Sequence, residues 1–245
     1  MRKIPSSIAG GALCLLAGSY FAYAQTLAQT PAPHPLTFFL TSIGVPGGAN
    51  FGGLAGADAH CQQLAAAAGA GNRTWHAYLS AQARPGQPAV NARDRIGAGP
   101  WYNSKGVTIA KDVVELHGKN NLTKQTALTE KGAMNPGEGD PGDPNDKTWA
   151  YMQAHPSSIR HEILTGSTRD GRAFADGRDH TCNNWTSEED GNSPLRARTN
   201  TGPGAEIGKS DSTGPWNSQG ISGGCAHEAL ARSHGAGQFY CFATD

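Results

Sequence analysis

Apolar positions along this chain gather in short runs separated by glycine- and proline-rich text, and one stretch repeats them at helical spacing. Ala57, Cys61, Leu64, Ala65 and Ala68 share a face, which predicts a helix over 57–68 whose small side chains let it lie close to a sheet. Asp58 is placed to cap its first turn, and Gly69 and Gly71 to end it. Residues 36–41, Leu-Thr-Phe-Phe-Leu-Thr, form a nearly continuous apolar and β-branched run, the pattern of a strand covered on both sides. Residues 75–80 predict a second strand, Ile163 and Leu164 a short buried one, and 238–243 the closing strand. Between them, 89–96 reads as a short helix or a turn, Trp101 and Tyr102 open an ordered piece, and 107–116 fits either a strand or a helical turn. From Gly166 onward the periodicity dissolves. Glycines and the prolines Pro194, Pro203 and Pro215 interrupt every candidate helix, so the last third is expected to be one long loop region clamped to the body of the domain. Trp185, Trp216 and Phe239 are its aromatic anchors.

The N-terminus changes the picture of where this domain works. Arg2 and Lys3 precede an apolar stretch over 8–17 and the small-x-small end Ala22-Tyr23-Ala24, so residues 1–24 read as a signal peptide and the mature chain is expected to start at Gln25. The stretch is short and rich in glycine and serine for a membrane span, so no membrane insertion is expected after cleavage. Residues 25–35 form a polar, proline-bearing lead-in expected to be mobile, and 36–245 one domain. The formal net charge of the 245 residues is zero and basic residues form no block, which argues against nucleic acid as a partner. A secreted or periplasmic location follows from the leader.

Export gives the cysteines their meaning. Cys14 leaves with the leader, and Cys61, Cys182, Cys225 and Cys241 remain, an even set that predicts two disulfides with three pairings open. They show no zinc spacing. Residues 135–147 form an acidic turn-rich loop in which Glu138, Asp140, Asp143, Asn145 and Asp146 offer hard oxygen ligands. A solvated excursion is the favoured reading of that loop and calcium the other, since its spacing departs from the EF-hand pattern. No cofactor is otherwise expected. Neither a Gly-x-Ser-x-Gly elbow nor a His-Glu-x-x-His motif occurs, so the chain is not expected to be an enzyme.

Several motifs, taken in order, carry a resemblance. Gly56-Ala57-Asp58-Ala59-His60-Cys61 followed by Trp75-His76-Ala77-Tyr78-Leu79-Ser80, then Gly166-Ser167-Thr168-Arg169-Asp170-Gly171-Arg172, Cys182-Asn183-Asn184-Trp185-Thr186, Cys225 and Phe239-Tyr240-Cys241-Phe242, resemble the endostatin domain of non-fibrillar collagens. The same order is similar to a group of exported bacterial lectin-type proteins that share the C-type-lectin-like fold with endostatin. The resemblance spans about residues 36–243. It implies an α+β, C-type-lectin-like (endostatin-like) domain with long irregular loops and two nested disulfides, Cys61 with Cys241 and Cys182 with Cys225. It also implies that the strand at 36–41 lies beside the C-terminal strand.

For function, the resemblance implies a carbohydrate-binding module whose partner is a glycan, or alternatively a domain that binds an extracellular matrix component or protein. Calcium-dependent lectins of this fold carry a Glu-Pro-Asn or Gln-Pro-Asp loop and a later Trp-Asn-Asp; here Trp216-Asn217-Ser218 lacks the acidic third member. A calcium-free surface built from Trp216, Asn217, Asp211, Asn183, Asn184 and Trp185 is therefore the expected sugar site, aromatic faces stacking on the ring and amides meeting hydroxyls. Trp216, between Pro215 and Asn217 in polar text, is the aromatic expected to be exposed; Trp185, beside a cysteine, is expected in the core.

Overall fold

Residues 38–40 and 240–242 pair, as the resemblance implies, and the rest of the domain is arranged around that pairing. A computed structural model describes residues 35–123, 125–134, 162–190, 198–200 (backbone only), 216–233 and 235–245. The leader, residues 25–34, the acidic ligand set from Glu138 to Asp146 and Asp211 lie outside the described residues.

Strand β1 (Phe38–Leu40), helix α1 (Gly53–Ala67) and strand β2 (Trp75–Ala77) come first, and strand β8 (Tyr240–Ala243) closes the chain. β8 is the middle strand of an antiparallel sheet ordered β1-β8-β2, with Phe39 and Ala77 both opposite Cys241. Successive side chains on a strand point to opposite faces, and here each face meets its own core. Phe39, Trp75, Ala77, Cys241 and Ala243 face α1, Phe51, Trp185 and Leu230. Phe38, Leu40, Tyr240 and Phe242 join Tyr78, Ile96, Trp101, Ile109 and Trp216 on the other side. Burial on both faces is why these runs lack polar alternation.

The helix starts four residues earlier than its apolar face predicts, at Gly53, and buries Ala57, Cys61, Leu64 and Ala65. Its end follows from sequence: Gly69, at φ +81°, donates to Ala66 and Ala70 donates to Ala65, a Schellman closure. Asp58 does not cap the first turn. It sits one turn further in, where its carboxylate accepts from the Ala77 amide at 2.8 Å and pairs with Arg95 at 2.6 Å. That contact ties α1 to β2.

The ambiguous middle resolves into a 3₁₀ turn (Ala92–Asp94), β3 (Trp101–Tyr102) paired with β4 (Thr108–Ala110), and helix α2 (Val113–Leu116). Residues 107–116 thus hold both a strand and a helical turn. Asp112 caps α2, its side chain accepting from the Glu115 amide.

The described residues of the last third hold more regular structure than the sequence suggests. β5 (Ile163–Leu164), β6 (Arg198–Asn200) and β7 (Gly220–Ile221) form an antiparallel sheet, and α3 (His227–Arg232) fits between Gly224 and Gly235. Glycine spacing alone cannot exclude a six-residue helix. Cys61 is bonded to Cys241 and Cys182 to Cys225. In space these bridges are not nested: one ties α1 to β8, the other ties a turn at 182–185 to the segment before α3. The architecture shown is a mixed α and β domain with small antiparallel sheets, and two formed disulfides indicate an oxidising compartment. Among the described residues no helix is long and apolar enough to cross a membrane.

Candidate functional site

The turn at 182–185 has an uncommon backbone. Cys182, Asn183, Asn184 and Trp185 all have positive φ, at 47°, 59°, 53° and 67°. Each L-residue in the left-handed region costs about 1–2 kcal/mol, less for asparagine, so four in a row require compensation from their surroundings. Several bonds supply it. Trp185 is fully buried, its indole N–H donates to the Ser80 carbonyl at 2.7 Å and its backbone amide to Thr181 at 2.7 Å. The Asn184 side chain accepts from the Gln82 amide at 2.8 Å and donates to the Gln82 carbonyl at 2.9 Å. Asp179 accepts from the backbone amides of Thr181 and Asn183. Cys182 is held by its bridge.

Gln82 belongs to a β-hairpin in which Ala81 pairs with Val90 and Arg84 with Gln87. Pro85 followed by Gly86 at φ +76° suits the tight reversal at its tip. Hairpin and left-handed turn are therefore stitched together at Gln82 and diverge above it.

Between them lies an open groove of about 580 Å³. Leu54 from the first turn of α1, Ala81, Pro88 and Val90 give it an apolar lining, and Arg84, Gln87, Asn183, Asn184 and Thr186 supply the polar groups. Arg84 spends one nitrogen on Asp179 at 3.2 Å. Asn183 is exposed and donates to the Thr186 hydroxyl at 2.9 Å. No carboxylate is among the lining residues. The arrangement offers amide and guanidinium groups over an apolar base, chemistry suited to a hydroxyl-bearing ligand.

Of the residues expected to form a site, the structure brings Asn183 and Asn184 to this groove, with Trp185 buried beneath them. Trp216 is elsewhere and is not an exposed platform. It is 8% exposed, packs on Tyr78 and Tyr240 at centroid distances of 4.6 and 5.4 Å, and donates its indole N–H to the Leu116 carbonyl. Asn217 is wholly buried and bonded to the Tyr78 hydroxyl. Neither can meet a ligand at the surface in this arrangement, because the loop carrying them turns inward onto the second core. Arg84, Gln87 and Thr186 are the polar groove residues that the sequence did not point to, along with the apolar lining; the Pro85-Gly86 reversal was the available signal.

Three titrating groups are shifted by burial. Burial pushes the Tyr78 hydroxyl far above its usual range and His117 below the ordinary histidine value. Glu162, beside α3, is raised to about 7 by burial, against a Ser233 hydrogen bond that lowers it. Among the described residues no cluster of His, Cys, Asp or Glu is arranged to hold a metal ion. Compared with known proteins, the chain matches no family model and no curated protein.

Proposed function

We propose that the chain is an exported, non-enzymatic carbohydrate-binding protein of the C-type-lectin-like, endostatin-like kind, and that its sugar lies in the groove between the 81–90 hairpin and the left-handed turn. One observation carries this reading: Arg84, Gln87 and Asn183 converge on an apolar lining that includes Leu54, Pro88 and Val90. Vicinal hydroxyls match the two-pronged donors of amide and guanidinium groups, while a sugar's C–H face covers aliphatic carbon. The disulfide pairing and the meeting of β1 with β8 support the family resemblance. With no carboxylate lining the groove, recognition there needs no bridging calcium.

A glycan array with wild type, Asn183→Ala and Arg84→Ala, in calcium and in chelator, tests the proposal. Binding is expected in both media and to weaken at least about tenfold in each variant, the loss of one or two charge-assisted or neutral hydrogen bonds. Binding that depends on calcium would move recognition to another loop. Silence in both media, with retention on matrix proteins, would favour the matrix or protein-partner alternative.

A further inference from the structure

The second core contains a chain of hydrogen bonds whose direction follows from the atoms. The Thr168 carbonyl can only accept, so the Asn217 side chain turns its Nδ2 toward it, at 3.1 Å. The same Nδ2 lies 2.7 Å from the Tyr78 hydroxyl and donates to it. The Val113 carbonyl, 2.8 Å from His117 Nδ1, requires the ring proton on that nitrogen. Nε2 of the neutral ring is then an acceptor, and it lies 2.7 Å from the Tyr78 hydroxyl. The order is Asn217 to Tyr78 to His117.

Both ends of this chain are unusual. Asn217 Oδ1 is buried and has no hydrogen-bond partner among the described residues. His117 is half-buried. Gly171, at φ +78°, closes over the junction: a Cβ there would collide with both His117 Nε2 and the Tyr78 hydroxyl. A side chain at 171 would displace this junction, so the absence of one lets the Tyr78 hydroxyl and the His117 ring meet.

A proton on Nε2 makes both ring nitrogens donors. Tyr78 must then accept from His117 and send its own proton elsewhere. The acceptor at hand is Asn217 Oδ1, which reaches Tyr78 only if the amide turns over and Nδ2 leaves Thr168. We infer that His117, Tyr78 and Asn217 form a proton-linked relay: protonation of the half-buried imidazole reverses the hydrogen-bond chain, inverts the buried amide and frees the Thr168 carbonyl from Asn217.

The charged groups around the ring come from two elements. Arg93, on the 3₁₀ turn, opposes protonation, whereas Asp94 beside it and Asp170, in the turn at 168–172, favour it. Arg93 and Asp170 also pair at 4.0 Å. Burial is the largest influence and holds His117 below the ordinary histidine value, so the relay switches only on the acid side of that value. For a base with a lowered folded pKa, stability is full above the unfolded value and is lost as the pH falls below it.

Nitrogen-15 NMR of the oxidised full chain, from about pH 7.5 downward through the midpoint of the His117 ring, tests the relay. The Asn217 side-chain amide pair is expected to shift with the midpoint of the His117 ring. In Tyr78→Phe the ring still titrates and the amide no longer follows. An Asn217 amide that stays constant through the His117 midpoint, or that follows it unchanged in Tyr78→Phe, overturns the inference. His117→Gln, at a half-buried position, provides a second variant should the phenylalanine protein not fold: the acid response of Asn217 must vanish, and its persistence is equally fatal.

Discussion

Cys61–Cys241 joins a regular helix to the middle of a regular sheet, whereas Cys182–Cys225 joins a left-handed turn to the segment before α3. In the first region the backbone is relaxed and other ties run in parallel: β8 is paired on both sides, and Asp58 links α1 to β2 and Arg95. In the second, four consecutive residues occupy a conformation the backbone disfavours. Their position depends on Trp185, Asn184, Asp179 and the bridge acting together. The same covalent bond therefore adds to an already specified framework in one place and helps impose a conformation in the other. The strained region is also the one that shapes the groove.

Removing each bridge separately gives the sharpest test. Cys61→Ala with Cys241→Ala frees a 180-residue separation and is expected to lower stability by about 5 kcal/mol, read as a lower denaturation midpoint with one transition. Cys182→Ala with Cys225→Ala frees 43 residues and costs about 4 kcal/mol, but its effect should be local. Proteases should cut within 181–226 while amides of β1, β2 and β8 stay protected from exchange. Uniform loss of protection in this second variant would erase the distinction between the regions.

Next in size is Glu162. Its carboxyl titrates at about 7 in the folded protein against 4.5 ordinarily, so the folded state holds a proton that the unfolded state has lost between those values. Stability is full below about pH 4.5 and falls by on the order of 3 kcal/mol as the pH rises to 7. Glu162→Gln should flatten that slope in denaturation midpoints measured across the range. Asn184→Ala has the smallest expected effect, about 2 kcal/mol, because the Gln82 amide and carbonyl lose their partner. It should also weaken glycan binding, since the left-handed turn would lose its attachment to the hairpin.

The relaxed region was legible in the sequence and the strained one only in part. Small residues at helical spacing located α1, and unbroken apolar runs located β1 and β8, because local periodicity reports directly on burial. Trp216 shows where that logic fails. Its neighbours Pro215, Asn217 and Ser218 look like surface text, yet it is buried by Tyr78 and Tyr240. Only long-range packing could reveal this. The left-handed turn left a faint trace in Asn183 and Asn184, the residue type that best tolerates positive φ after glycine. Nothing local indicated that Cys182 and Trp185 would follow, since the bridge and the Ser80 carbonyl that hold them come from distant parts of the chain.

The middle position of β8 has a consequence for how the protein is made. Leu40 has no partner on that side until Tyr240 arrives, and β2 waits for the same strand. At roughly 5–20 residues per second of synthesis, β1 spends on the order of ten seconds or more without its partner in this sheet. The sheet cannot assemble progressively behind the ribosome; it closes in one late step, when the final strand slots between two that have been waiting. A nascent chain of this kind keeps its sheet open until residues 240–243 have been translated.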